Sequence, residues 1–354
     1  MAEKNDMKVL VTGGSGYVAS WIVKRLLDKG VDVNTTVRNI ESIGKFAHLR
    51  KIANEAPGNL EIFEADLLKE GSFASAMEGC NIVIHTASPF IIGKIKNPYK
   101  SLINPALEGT ENVLSTVNKT PSVKRVVLTS SVVAIYGDNI DIAQTEEGIF
   151  NESHWNTTST PETQPYPYSK TVAEQRAWEM AANSDRWDMV VINPGFVIGP
   201  SLTIRNDSTS INLMIQLADG TFKMGTPAVH NGVVDVRNIA DAHLEAAFRP
   251  QANGRYILVN QTMSFLEIAN VLRKKYGKKL KLPKNELPKW LVMLMGPLQG
   301  IKRSYVKNNI GIPIAFDNSR SKQDLDINYI PVEQTIIDQA EQLLSDNHID
   351  IGGR

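Results

Sequence analysis

The sequence predicts an α/β protein built on a doubly wound parallel sheet, and three observations carry that expectation. Apolar strands and helical stretches alternate from residue 9 to about residue 200. The strands are apolar at successive positions, the pattern of a sheet covered by helices on both faces. The first of them, Val9-Leu10-Val11-Thr12, runs directly into the glycine turn Gly13-Gly14-Ser15-Gly16 and then into a helix.

The elements follow in order. Behind the glycine turn, Trp21, Ile22, Leu26 and Leu27 recur at helical spacing up to Gly30. Residues 31–37 read as a second strand, 42–55 as a charged helical region, 60–63 as a third strand and 72–77 as a short helix. A fourth strand spans 82–85, a long helix covers much of 98–118, and a fifth strand spans 126–128. Residues 151–165, with many Ser, Thr and Pro, read as a surface loop before a helix at 171–182 and a strand at 189–192. Beyond Pro200 the pattern loosens: 201–234 is polar and turn-rich, 235–248 returns to a strand-then-helix unit, and 256–259 is one more strand. The expected organisation is a nucleotide-binding domain of 1–200 plus 235–260 and a smaller C-terminal α+β substrate domain of 201–234 plus 261–354.

Strand, glycine turn and helix are the order that a dinucleotide pyrophosphate requires. Gly14-x-Gly16-x-x-Ala19 has the fingerprint spacing: one glycine for the tight turn, one for close approach of backbone to phosphate, and a small residue where helix meets strand. The helix N-terminus offers free N–H groups and the positive end of its dipole to the negative charge. An NAD site of this Rossmann type places an acidic residue about 20 residues beyond the glycines. This chain has Val37-Arg38-Asn39 instead, with Lys45 a little further on. A guanidinium grips a 2′-phosphate by charge-assisted hydrogen bonds worth roughly 1.5–3 kcal/mol, so NADP is expected over NAD.

Composition narrows the class. The chain has 354 residues, 42% of them hydrophobic, enough for a sizeable core. Its 38 Lys and Arg balance 38 Asp and Glu, so the basic surface of a nucleic-acid binder is not expected. Residues 1–6 lack the apolar stretch of a signal peptide. No apolar run reaches the roughly 18–20 residues of a membrane span. The nearest, 290–298, contains Gly296 and Pro297 and reads as core, with a pocket lid or a subunit contact as the alternatives. Cys80 is the only cysteine, so an inert core thiol and a cytoplasmic, reducing setting are expected. Neither a membrane partner nor a metal is expected.

The run Tyr166-Pro167-Tyr168-Ser169-Lys170 carries the chemistry. At a helix start, positions four apart project from one face, which puts Tyr166 beside Lys170. A phenol titrates near 10 and is a poor proton donor or acceptor at neutral pH. A neighbouring ammonium favours the phenolate and lowers that value, as does an oxidised nicotinamide. A phenol tuned in this way donates its proton to a carbonyl oxygen while hydride arrives at carbon, worth roughly 10²–10⁴-fold in rate. Val126-Val127-Leu128-Thr129-Ser130-Ser131 ends a strand with hydroxyls that can steady charge on the substrate oxygen.

Together these segments resemble the extended short-chain dehydrogenases/reductases, in particular their dihydroflavonol 4-reductase-like branch, which includes microbial aldehyde and ketone reductases. The resemblance is strongest from residue 9 to about 200. It rests on Thr12-Gly13-Gly14-Ser15-Gly16-Tyr17-Val18-Ala19, Thr36-Val37-Arg38, Ala65-Asp66-Leu67, His85-Thr86-Ala87-Ser88-Pro89 and the Ser131, Tyr166 and Lys170 segments, with Asn193 to Pro200 and Val234 to His243. It implies that Ser131, rather than Ser130, joins Tyr166 and Lys170 in a catalytic triad, Lys170 also holding the nicotinamide ribose. It further implies that Gly13, Ser15, Gly16, Tyr17 and Val18 hold the pyrophosphate and that Arg38 and Lys45 hold the 2′-phosphate. Asp66 and Leu67 match adenine contacts, Thr86, Ala87 and Ser88 line the cofactor's middle, and Pro194 and Val197 lie against the nicotinamide. His243 belongs to a structural segment. Ala106 stands where many members carry a proton-relay Asn, and Val132-Val133-Ala134 replaces a flavonoid-gripping Asn. With Phe90, Val133, Tyr136 and Phe196 as candidate walls, an apolar pocket for a medium aldehyde or ketone is expected.

The reading is therefore an NADPH-dependent carbonyl reductase acting on a small molecule, as monomer or homodimer. Two alternatives share the machinery: a sugar-nucleotide epimerase or dehydratase that retains NAD, against which Arg38 speaks, and a non-enzymatic NADP sensor, against which the Tyr166/Lys170 pair speaks.

Overall fold

The structure is a computed structural model that describes residues 7–89, 97–204 and 208–350. Its first half alternates β1 (Lys8–Thr12), α1 (Tyr17–Asp28), β2 (Asp32–Val37), α2 (Ala47–Glu55), β3 (Leu60–Glu64), α3 (Ala74–Met77), β4 (Ile82–His85), α4 (Asn104–Lys119), β5 (Arg125–Thr129), α5 (Pro165–Ala182) and β6 (Asp188–Pro194). Then come β7 (Phe196–Ile198), α6 (Thr209–Asp219), β8 (Thr226–Pro227), β9 (His230–Asp235), α7 (Val236–Phe248), β10 (Gly254–Leu258), β11 (Gln261–Ser264) and α8 (Phe265–Tyr276). The chain closes with β12 (Glu286–Leu287), α9 (Lys289–Met295), α10 (Arg303–Asn309), α11 (Ser319–Gln323) and α12 (Val332–Ser345).

The main sheet is parallel throughout, in the order β10-β6-β5-β4-β1-β2-β3. The order reverses between β1 and β4, the switch point at whose carboxyl ends open sheets bind ligands. Alternation along each strand sends side chains to two cores. Val9, Val11, Ile82, Ile84 and Val127 face α1 and α7, whereas Leu10, Val83, Val126 and Leu128 face α3, α4 and α5. Both faces are covered, which is why the strands read as continuous apolar runs.

A second sheet, β11-β9-β7, sits over its own core of α6, α8 and α12, including Ile211, Met214, Leu217, Leu272 and Ile336. Asp235 knits the two parts. Its carboxylate caps α7 at Arg237 N (2.7 Å), pairs with the Arg237 guanidinium (2.6 Å) and accepts from Thr335 of α12 (2.7 Å). Leu325 and Ile327, far along the chain, pack into the first core.

Three local expectations change. The charged region at 42–55 is a 3₁₀ turn, Ile43–Lys45, followed by α2, the two divided at buried Phe46, whose φ of −133° is not helical. The polar stretch 201–234 contains α6 and β9; the spacing of Ile211, Met214 and Leu217 makes a helix that its polar neighbours conceal. The helix after the 151–165 loop starts at Pro165, not 171, since proline is pre-set for the first helical position and Pro167 follows within the first turn. Among the described residues no helix is long and apolar enough to cross a membrane.

Candidate active site

The glycine turn joins β1 to α1 beside the switch point. Gly13 takes a left-handed φ of 69°, so the tight turn belongs to Gly13 rather than to the Gly14 of the fingerprint spacing. Gly14 is pressed on β2: a Cβ there would lie 2.0 Å from Thr35 Oγ1. Gly16 caps α1 with no side-chain bond, leaving the first-turn N–H groups of the helix to face the turn. The side chains behind this turn have structural work. Tyr17 donates to Gly199 O (2.6 Å) and Trp21 to Pro200 O (2.8 Å), tying α1 to the end of β7, while Val18 packs on the first core.

At the next strand ends, Arg38 and Lys45 are exposed and form no ion pair among the described residues. Asp66 folds its loop back by accepting from Leu68 N (2.8 Å). Asn112 of α4 holds the same loop through Leu67 O (3.0 Å) and Lys69 O (2.8 Å). At the end of β4, Thr12 Oγ1 accepts the N–H groups of Thr86 and Ala87, both at 3.1 Å. Its own proton therefore points to His85 Nδ1 at 2.9 Å, which places the His85 proton on Nε2. Burial, with Lys170 nearby, pushes His85 down to about 3, so the ring is neutral. The Ala87 side chain lies so close to Gly13 that a Cβ on that glycine would stand 3.1 Å away.

A cleft opens over these carboxyl ends, lined by Ala87 and Ser88 after β4, Thr129 and Ser130 at the end of β5, and Lys170 and Glu174 of α5. Lys170 Nζ donates to Thr129 O at 3.4 Å. Ala106 and Thr110 of α4 also line it, and Thr110 donates back to Ala106 O (2.9 Å), so a hydroxyl on α4 reaches the side of the cleft where the Asn was missing. Tyr166 sits in the first turn of α5 with 36% of its surface exposed, and neither it nor Ser131 is among the residues that line the cleft. In the protein alone burial pushes the phenol up to about 12, opposite to the depression expected from Lys170. Burial pushes Lys170 down to about 8, with Glu174 raising it in part.

The two strand-end serines part company. Ser130 Oγ donates to the buried carboxylate of Glu174, which also accepts from Asn193 Nδ2 (2.9 Å) and pairs with Arg255 (2.6 Å). Ser131 Oγ makes only long contacts, accepting from Val133 N at 3.3 Å and donating to Pro194 O at 3.5 Å. It caps the turn Val132–Ala134, against which α5 packs. Sequence reasoning missed Glu174, Asn193 and Arg255. Glu174 continues the Tyr166/Lys170 face by one more turn, and that spacing is the signal that would have found it.

Elsewhere, His243 is buried, accepts from Thr129 Oγ1 (2.7 Å) and donates to Ile239 O (2.7 Å); burial pushes it to about 4. Val133 and Phe196 are half-buried, and Val197 of β7 packs on the first core behind Pro194. Tyr136 is buried among Phe150 and Phe316, its ring 4.7 Å from that of Phe150. Its stacking makes it part of an apolar core instead of an open pocket wall. Phe90 lies outside the described residues. Cys80 is buried and burial pushes its thiol up to about 12, as an inert core thiol requires.

The groups present fit a dinucleotide. An uncapped helix start beyond a turn too tight for side chains accepts a pyrophosphate, and two exposed cations beyond β2 suit one more phosphate. Comparison with known proteins agrees. The model of the NAD dependent epimerase/dehydratase family matches residues 9–260. The chain is 36% identical to cinnamoyl-CoA reductase CAD2 of Medicago truncatula over 95% of each protein. It is 37% identical to anthocyanidin reductase of Arabidopsis thaliana over 78% of this chain and 83% of that one. Among solved structures it resembles the yeast methylglyoxal/isovaleraldehyde reductase Gre2 complexed with NADPH, with a TM-score of 0.74 and 27% identity over 97% of this chain and all of the other. Sheet order, glycine turn and a match covering most of the sheet converge: the chain belongs to the NAD dependent epimerase/dehydratase family, within the extended short-chain dehydrogenases/reductases.

Proposed function

We propose that the protein is an NADPH-dependent reductase of aldehydes or ketones, with Tyr166 as proton donor. The observation that carries this reading is the cleft at the carboxyl edge of the sheet, where Lys170 meets the ends of β4 and β5. Gly13, Ser15, Gly16, Tyr17 and Val18 hold the pyrophosphate through the turn and helix start, and Arg38 and Lys45 bind the 2′-phosphate. Asp66 and Leu67 take the adenine, Thr86 to Ser88 the middle of the cofactor, and Pro194 and Val197 the nicotinamide face. The NADPH of the similar yeast reductase supports this cofactor, and its named aldehydes support the substrate class.

Bound NADPH supplies a hydride to the carbonyl carbon. Ser131, whose hydroxyl has only long contacts of its own, turns to the substrate oxygen and orients it. Tyr166 is fully protonated at neutral pH and gives its proton to that oxygen as it becomes an alcohol. Lys170 stabilises the phenolate left behind. Val133 and Phe196 supply apolar wall. The setting is cytoplasmic, as monomer or homodimer.

Tyr166→Phe tests the reading. Turnover of NADPH with an aldehyde is expected to fall about 10²–10⁴-fold, with NADPH affinity changed by less than about threefold. Unchanged turnover overturns the role of Tyr166. A protein that purifies with tightly held NAD and oxidises no NADPH overturns the reductase in favour of an epimerase.

A further inference from the structure

The segment 290–298, expected to be core, is largely on the surface. Of α9, only Val292 is fully turned inward, against Val229, Val306 and Ile310. Trp290 and Leu294, one turn apart on α9, are 68% and 62% exposed, with Met295 beside them at 43%, and Leu298, in the 3₁₀ turn Gly296–Gln299 that follows, is 87% exposed. A helix apolar on every side is ordinarily buried on every side. Here the inward face is satisfied and the outward stripe is not.

Charge along this segment is equally uneven. Between Lys284 and Lys307 the chain carries Lys284, Lys289, Lys302, Arg303 and Lys307 against the single anion Glu286, five less one, in a protein whose total is zero. All five cations are exposed, and none forms an ion pair among the described residues. Lys289 and Lys302 rest only on backbone carbonyls, of Lys307 and Glu162. The first bond ties α9 to α10, and the second ties the start of α10 to the loop before α5.

We propose that this stripe is a docking surface for an anionic lipid bilayer, with α9 lying in the interface plane. Trp290, Leu294 and Leu298 enter the headgroup–acyl boundary, where the indole is at home, and the flanking cations meet anionic headgroups. The charge pattern decides against a second copy of this chain. A two-fold contact through the same patch would set five cations against five. The inference departs from the expectation that no membrane partner is involved. It does not rest on the reductase reading.

Cosedimentation with vesicles of phosphatidylcholine, with and without phosphatidylserine, tests it. Binding is expected to the anionic vesicles alone, falling several-fold between low and high salt, with a blue shift of tryptophan emission. The triple variant W290S/L294S/L298S is expected to bind at least about tenfold more weakly, and K302E/R303E likewise. Thermal melting reports whether each variant is folded; should the triple variant melt early, K302E/R303E carries the test. Failure to bind anionic vesicles at low salt, equal binding to neutral ones, or binding that survives K302E/R303E overturns the proposal. So does a dimer in sedimentation velocity that the triple variant abolishes, which would assign the stripe to a second copy.

Discussion

At Tyr166 and Lys170 burial acts on two groups of opposite charge type, and it moves both toward their neutral forms. The phenol is held at about 12, the amine at about 8. Lys170 therefore loses its ammonium as pH rises through about 8, while Tyr166 keeps its proton. The kcat/KM for carbonyl reduction is expected to fall through that window as a one-proton limb in a pH–rate profile. A limb unchanged in Lys170→Arg would assign it elsewhere. The same shift has a consequence for stability. The folded value lies below the ordinary 10.5 of lysine, so the unfolded chain holds more protons between about 8 and 10.5, and the contribution of this group to stability rises with pH there.

Among the elements, α5 does the most. Pro165 starts it, and Tyr166, Lys170 and Glu174 follow at successive turns on one face. Glu174 is completely buried and faces Arg255, whose guanidinium also donates to Glu152 O (3.0 Å) and His154 O (2.6 Å) in the loop leading to α5. One ion pair thus fixes the helix, the end of β5 and that loop. Glu174→Ala leaves Arg255 buried without its partner and is expected to cost about 3–5 kcal/mol in denaturant unfolding. Glu174→Gln should cost much less, since Ser130 and Asn193 keep an acceptor. Equal losses would show that the charge of Glu174, and not the hydrogen bonds it accepts, carries the stabilisation. The succession of Tyr166 and Lys170 on one helix was legible because it is local, four residues apart. The Glu174–Arg255 pair was not, because its members are 81 positions apart and meet only when β10 docks beside β6.

For the whole molecule, binding across the carboxyl edge couples to folding by mass action. NADPH at about 100 times its Kd adds roughly 2.7 kcal/mol, which for a chain of this length raises Tm by about 4 °C. NADH at the same concentration is expected to shift Tm less, and Arg38→Glu to remove the difference between the two. A wild-type shift equal for both cofactors would show that Arg38 does not read the 2′-phosphate. The two cores are joined through Asp235 and through Leu325 and Ile327, which return to the first core from late in the chain. No local pattern announces such a return.

By itself the sequence determined the parallel sheet, the glycine turn and the order of its strands along the chain. Those depend on apolar periodicity and turn chemistry within a few residues. Tertiary structure alone decided which glycine turns the backbone, which serine faces inward, that Tyr136 stacks in a core and that Trp290 does not. Each of these depends on what lies opposite a side chain, and the opposing group comes from a distant part of the chain. Burial, the quantity that sets the proton affinities of Tyr166, Lys170 and His85, exists only once those distant parts have met.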